Sequence, residues 1–200
     1  MCLLNAAGIT RYTSGVNEEA LARRDAIATT AREMASAGGY KGVTIREVAE
    51  RSGTTPVTVY RYFGSKDGLL QHLMMEWAAQ TVGRLRREAG ARSGNAAHRV
   101  GLGFADVIVW AADDMRLLEA GITALFSPSA EAGGGVAAYK PLFVELVRAC
   151  LADEQWTDDD GAALVIGHVF IACLLDLTAG SRNLDEVVAN IRTAAGLLWR

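Results

Sequence analysis

Apolar residues in this chain recur every three or four positions over almost its whole length, and only Pro56, Pro128 and Pro141 interrupt the pattern. A helix brings every third or fourth side chain to one face, whereas a strand does so every second, so this spacing buries a continuous apolar face only in helical backbone. The run Leu69, Leu70, Leu73, Trp77 is typical of it. The expected fold is therefore all-α. With half of its 200 residues apolar, the chain can bury a real core, as one large domain or as one small and one medium domain.

Helix-ending and helix-starting residues divide the chain. Residues 1–17 lack periodicity and read as a flexible N-terminal arm. Asn17 then suits an N-cap, with Glu18 and Glu19 in the first turn and Ile27, Ala31 and Met34 facing inward. Gly38 and Gly39 should stop this helix. Thr44 opens a second one, with Glu47 placed to complete a capping box and Ile45, Val48 and Ala49 inward. Gly53 permits a tight turn, and Thr55 with Pro56 starts a short third helix to about Phe63. Its inward residues are Val59 and Phe63, which leaves Thr58, Arg61 and Tyr62 facing out.

A long helix follows over 67–91. Amphipathic helices are expected at 95–112, 114–126, 136–152, 159–179 and 184–199, with a glycine-rich loop from Ser127 to Gly135. Thr157 with Asp160, and Asn183 with Glu186, read as caps of the last two helices. The segment Ala162–Ala179 is the strongest membrane candidate. It contains His168 and Asp176 and lacks basic flanks, so it reads as a doubly buried soluble helix, and no membrane partner is expected.

The net charge of -3 is unevenly spread: residues 1–66 carry nine Lys/Arg against six Asp/Glu, and the remainder carries eleven against seventeen. The polyanion-binding end is thus the N-terminal one. Cys2, Cys150 and Cys173 are odd in number and far apart, and the N-terminus lacks an export signal, which together point to a reducing cytoplasm. His72, His98 and His168 are isolated, so no metal is expected. GLGFAD at Gly101 lacks the third glycine of a dinucleotide motif, and there is no nucleophile elbow or phosphate loop. Neither a catalytic set nor a cofactor is visible.

A helix, a capped second helix, a glycine turn and a short polar-faced third helix are the parts of a helix-turn-helix. Tyr60, Arg61 and Tyr62 present hydroxyls and a guanidinium suited to phosphate oxygens, and Thr55, Val57 and Thr58 are short enough to meet base edges. Three packed helices without a nucleic-acid role, in a small-molecule-binding or scaffold protein with a degenerate DNA module, are the alternative.

The stretch TIREVAERSGTTPVTVYRYFGSKDGLL, residues 44–70, preceded by GGYKGV, resembles the signature of the TetR family of transcriptional regulators. The resemblance covers about the first third of the chain. It implies a helix-turn-helix DNA-binding domain at 18–66 and a helical effector-binding and dimerisation domain at 67–200. By the same resemblance, Thr44 and Arg46 contact backbone or bases, Thr58 is a recognition-helix contact, Tyr60 and Tyr62 hold phosphates, and Lys66 is the basic residue at the next helix start. The implied partners are a palindromic double-stranded DNA operator, a small apolar or amphipathic effector and a second copy of the chain in a homodimer.

Large apolar residues offer a pocket wall in the C-terminal part: Phe104, Trp110, Met115, Leu118, Phe126, Phe143, Leu146 and Phe170. Periodicity marks them as inward without separating core from cavity. In the segment 162–177, Leu164, Ile171 and Leu175 lie near one face and Ile166, Phe170, Cys173 and Leu177 on another. The resemblance suggests that this helix, with Val187, Ile191, Leu197 and Leu198 of the last one, builds a four-helix dimer interface. His168 is expected to be buried and hydrogen-bonded, and Asp176 to pair across that interface.

Overall fold

The computed structural model describes residues 18–127, 139–158 and 161–199, and every regular element among the described residues is helical. In chain order these are α1 (Glu18–Gly42), α2 (Ile45–Arg51), α3 (Pro56–Phe63), α4 (Lys66–Glu88), α5 (Ala96–Ala112), α6 (Met115–Leu125), α7 (Lys140–Leu151), α8 (Ala162–Thr178) and α9 (Leu184–Leu198). The 3-10 turn Ala89–Ala91 continues α4. The expected N-terminal arm, the Asn17 cap and most of the expected 127–135 loop lie outside the described residues.

The ends of the helices follow from local chemistry. Gly39 breaks α1 with a φ of 61°, and one more turn carries the chain to Gly42. Asn183 and Glu186 form a complete capping box: Asn183 Oδ1 accepts from Glu186 N at 3.0 Å, and Glu186 Oε2 accepts from Asn183 N at 2.8 Å. At α2 one arm of the box is present, with Thr44 Oγ1 accepting from Glu47 N at 3.3 Å. The start of α8 differs from expectation. It begins at Ala162, later than 159, and the carboxylate of Asp158 accepts from the Ala163 amide at 2.8 Å, while Asp160 of the expected cap lies outside the described residues. Gly161 makes this possible, because its φ of 74° turns the chain so that Asp158 reaches the first turn.

Two apolar cores result. In the first, Ile27, Ala31, Met34, Ile45, Val48, Ala49, Val59 and Phe63 bury the inward faces of α1 to α3, joined by Leu69, Leu70 and Leu73 of α4. Ala120 and Ala124 of α6 complete it, fully buried against α1. The second core gathers α5, α7, α8 and α9 around Phe104, Phe143, Ile166, Phe170 and Ile191, with Phe104 and Phe170 edge-on at 5.7 Å. Each fully buried large side chain contributes about 1.5–3 kcal/mol. Helices α4 and α6 therefore serve both cores at once, through opposite faces.

Polar contacts hold α6 and α4 to the N-terminal helices. Asp67, buried in the first turn of α4, accepts from Tyr40 Oη and from Ser127 Oγ, each at 2.7 Å. Glu119 Oε2 accepts from Tyr40 N at 3.1 Å, Ser36 Oγ donates to Asp114, and Arg116 donates to the Ala37 carbonyl. The hydrogen bond to Asp67, reinforced by burial and by the carboxylate charge, pushes the Tyr40 phenol up to about 12. A pKa raised in the folded state stabilises the fold fully below the unfolded value, roughly 10, and the contribution is lost as pH rises towards 12. Urea midpoints should accordingly fall between pH 10 and 12. Tyr40→Phe should flatten that part of the profile, and an unchanged slope would remove Tyr40 as its origin.

Candidate nucleic-acid interface and apolar cavity

Helix α3 is short and firmly bounded. Thr55 Oγ1 accepts from Thr58 N at 3.3 Å, Pro56 occupies the first turn, and Gly64 ends the helix with a φ of 73°. Because Val59 and Phe63 point into the first core, positions 57, 60 and 61 must point away from it. Val57 is 76% exposed and Tyr60 52%, high values for apolar and aromatic side chains on a rigid element. Thr55 and Arg61 are also exposed, as are Thr44 and Arg46 at the start of α2.

Two of the three residues expected to face out are only half-exposed. The Tyr62 ring packs on the first core, because position 62 is one turn beyond Val59 and flanks the buried face, and the Arg61 guanidinium lies 5.3 Å from its centroid. The Thr58 hydroxyl lies 3.1 Å from that of Thr55, a hydrogen bond within the cap. Lys66 stands at the first position of α4, where a cation opposes the helix dipole. The Tyr40 ring, 3.7 Å from Lys66 Nζ, compensates within the protein, while burial lowers the lysine pKa. Among the described residues, Arg51 is held by Glu33 at 3.4 Å and Arg32 by Glu76 at 3.1 Å, whereas Arg46 makes no ion pair.

Sequence reasoning missed Gly68. A β-carbon there would overlap the Phe63 carbonyl oxygen, so the first turn of α4 rests directly on the last turn of α3. Its signal lay in the GSKDG stretch, where a glycine sits inside a helix start that already had its cap in Ser65.

An apolar cavity of about 70 Å³ lies between α4, α6, α7 and α8. Its wall includes Gln71, Met74, Trp77, Ile122, Tyr139, Phe143, Phe170 and Leu174. Of the expected pocket residues, Phe143 and Phe170 are therefore placed in the wall, and Trp110 and Leu118 line a separate cleft of about 220 Å³. The other four line neither space: Phe104 and Leu146 are buried in the second core, and Met115 and Phe126 are exposed, Phe126 to 50%. Facing inward does not make a residue a cavity wall. Two wall residues instead pack on bare backbone: a β-carbon at Gly121 would overlap the Met74 thioether, and one at Gly167 the Phe143 ring. The missed wall residues Gln71, Met74 and Ala78 form a second stripe on the long helix, offset from Leu69, Leu70 and Leu73.

Gln71 joins the two faces of this arrangement. Its amide Nε2 donates to the Ala124 carbonyl at 3.0 Å, tying the cavity wall of α4 to the buried end of α6.

Helix α8 carries an outward row of Val165, His168, Ala172, Leu175 and Ala179, all exposed and spaced alternately by three and four residues. Val165 and Leu175 are 48% and 39% exposed. His168 is thus exposed, not buried, although its Nδ1 lies 2.8 Å from the Leu164 carbonyl as a hydrogen-bonded histidine should. Asp176 pairs within the chain, accepting from Ser181 Oγ at 2.9 Å with Arg182 Nε at 3.4 Å. On α9, Val187 and Ile191 are fully buried inside the chain, while Ala189, Thr193 and Leu197 face out.

The family model for bacterial regulatory proteins of the tetR family matches residues 27–73, the span from α1 through the first two turns of α4. The chain is 29% identical over 178 residues to the HTH-type transcriptional repressor KstR of Rhodococcus jostii (strain RHA1), covering 88% of this chain and 82% of that one. In fold it is similar to a TetR transcriptional regulator from Rhodococcus sp. RHA1, with a TM-score of 0.72 at 20% identity over 91% of this chain and 97% of that one. It is also similar to the transcriptional regulator FadR from Bacillus subtilis in complex with stearoyl-CoA, with a TM-score of 0.55 at 18% identity over 88% and 97% of the two chains.

Proposed function

We propose that the chain, similar to TetR-family regulators in its residues 27–73 and to a KstR repressor over most of its length, is a cytoplasmic, homodimeric repressor that reads a palindromic operator and is released from it by an apolar or amphipathic effector. It acts by binding and not by catalysis. The observation that carries the reading is α3: an eight-residue, doubly bounded helix that holds Val57, Tyr60 and Arg61 in water while Val59 and Phe63 anchor it in the first core. A side chain kept apolar and exposed on a rigid helix is suited to the floor of a major groove.

Within this reading, Thr55, Val57 and Thr58 meet base edges, and Thr44, Arg46, Tyr60, Arg61, Tyr62 and Lys66 engage the backbone around them. Arg46 and Arg61 are the cations best placed to neutralise phosphates, because both are exposed and neither makes an ion pair among the described residues. Tyr60→Phe should weaken binding to every operator variant by about 1 kcal/mol, the worth of one hydrogen bond, or roughly fivefold. Thr58→Ala should instead change preference at particular base pairs. Sequencing of bound fragments from a genomic pool tests the function: an inverted repeat is expected, and equal recovery of all fragments would reject it.

The exposed rows of α8 and α9 support a dimer closed by four helices, since the three-four repeat on α8 and the four-residue repeat on α9 are spacings at which helices pack along their length. For release, two of the four helices that wall the cavity, α4 and α6, also enter the first core, so a change in their spacing is felt at α3. An effector acts only by binding one spacing more tightly than the other. A bound acyl-CoA in a protein of the same fold and the apolar wall here favour a lipid-like effector.

A further inference from the structure

The cavity and the neighbouring cleft are close enough to share walls. Met74 and Trp77 line both, Met74 with its thioether seated against Gly121. The cavity alone, about 70 Å³, corresponds to only two or three waters at about 30 Å³ each. The cleft adds about 220 Å³ between α4, the end of α5 and the start of α6. Together they approach the roughly 300 Å³ at which binding sites for small molecules begin.

The two partition residues differ in what they can do. Trp77 is large and limited to two side-chain torsions, whereas methionine is unbranched, has three rotatable bonds and fills irregular gaps. A side chain of this kind moves aside at low cost, and the site has no β-carbon at Gly121 to hold it. The two spaces also differ in chemistry. The cavity is walled by apolar side chains apart from the Gln71 amide and the Tyr139 hydroxyl, while the cleft ends among Asp113, Asp114 and Trp110, with Arg84 stacked 3.8 Å above the indole.

Resting on the effector reading above, we infer that the cavity and the cleft are two compartments of one site for an elongated lipid with a single polar end, and that Met74 is the movable partition between them. The apolar body passes Met74 into the cavity, and the polar end stays in the cleft beside Trp110 and Asp113. Each methylene drawn from water should tighten binding about fourfold until the joined space is full.

Titration of the full chain with straight-chain primary alcohols from hexanol to hexadecanol, read by tryptophan fluorescence, tests this without DNA. Affinity should climb with length well past hexanol, with a spectral change that Trp77→Phe reduces. Met74→Trp should end the climb at short chains and weaken dodecanol at least a hundredfold, with melting checked to show that the variant is folded. Met74→Ala should tighten dodecanol about tenfold and leave hexanol unchanged. A flat wild-type series, an unaltered length dependence in folded Met74→Trp, or an equal gain for both alcohols in Met74→Ala would each overturn the shared site. If the length dependence holds and dodecanol leaves operator affinity unchanged, the site stands and the effector reading falls.

Discussion

Val165→Glu combined with Leu175→Glu is expected to leave a folded monomer whose operator affinity is about a thousandfold below that of the parent chain. Both side chains lie in the outward row of α8, and neither contributes to the buried core of its own chain, so the substitutions should cost little stability before assembly. In a two-fold dimer each position is presented twice to the same interface. Four carboxylates would then have to be desolvated beside apolar neighbours, a cost no dimer contact repays. Without the partner, the second half-site is no longer held near its reader, and linkage of this kind is worth about 10²–10⁴ in affinity. Light scattering and titration of a full operator against a half-site separate the two effects. A double variant that remains dimeric would place the interface elsewhere, and a monomer that binds the full operator undiminished would show that dimerisation is not what sets affinity.

Gly68→Ala should be the most damaging single methyl group in the DNA-binding region. The added carbon meets the Phe63 carbonyl oxygen, which is backbone and has no other rotamer to adopt. Either α4 tilts away or the last turn of α3 unwinds, and overpacking of this kind costs about 1–3 kcal/mol, occasionally more. Both outcomes displace Tyr60, whose carbonyl accepts from the Gly64 amide at 2.8 Å in the same turn. Operator affinity should fall by more than a hundredfold even where most molecules remain folded, since a recognition helix out of register loses several contacts together. Gly38→Ala is the control: nothing lies within 4 Å of its β-position, so it should be neutral or slightly stabilising. Urea unfolding beside DNA titration checks both. Equal behaviour of the two variants would mean that the α3–α4 junction relaxes freely and does not position α3.

How far these features were legible depended on whether they are local. Helix starts depend on a few neighbouring atoms, so Thr44, Thr55 and Asn183 were readable as caps, and the Gly39 break was marked by its own residue type. Burial on α1 to α3 was readable too, because a short amphipathic helix has one face to bury. Tyr62 was misjudged at the margin of such a face, where one turn of helix decides between water and core. The α8 start was misjudged because a carboxylate five residues upstream of Ala163 reaches it only once Gly161 has turned the chain.

The set of helices, their inward stripes and the short capped reader are written in the chain, as consequences of periodicity and of side chains bonding to nearby backbone. Packing between distant helices sets the rest: α6 closes the N-terminal core, α4 shows one stripe to that core and another to the cavity, and glycines on α6 and α8 leave the space which Met74 and Phe143 fill. The reason is physical: a stripe records that a face is covered, whereas the covering partner and the gap left between them depend on the shapes of two helices far apart in the chain.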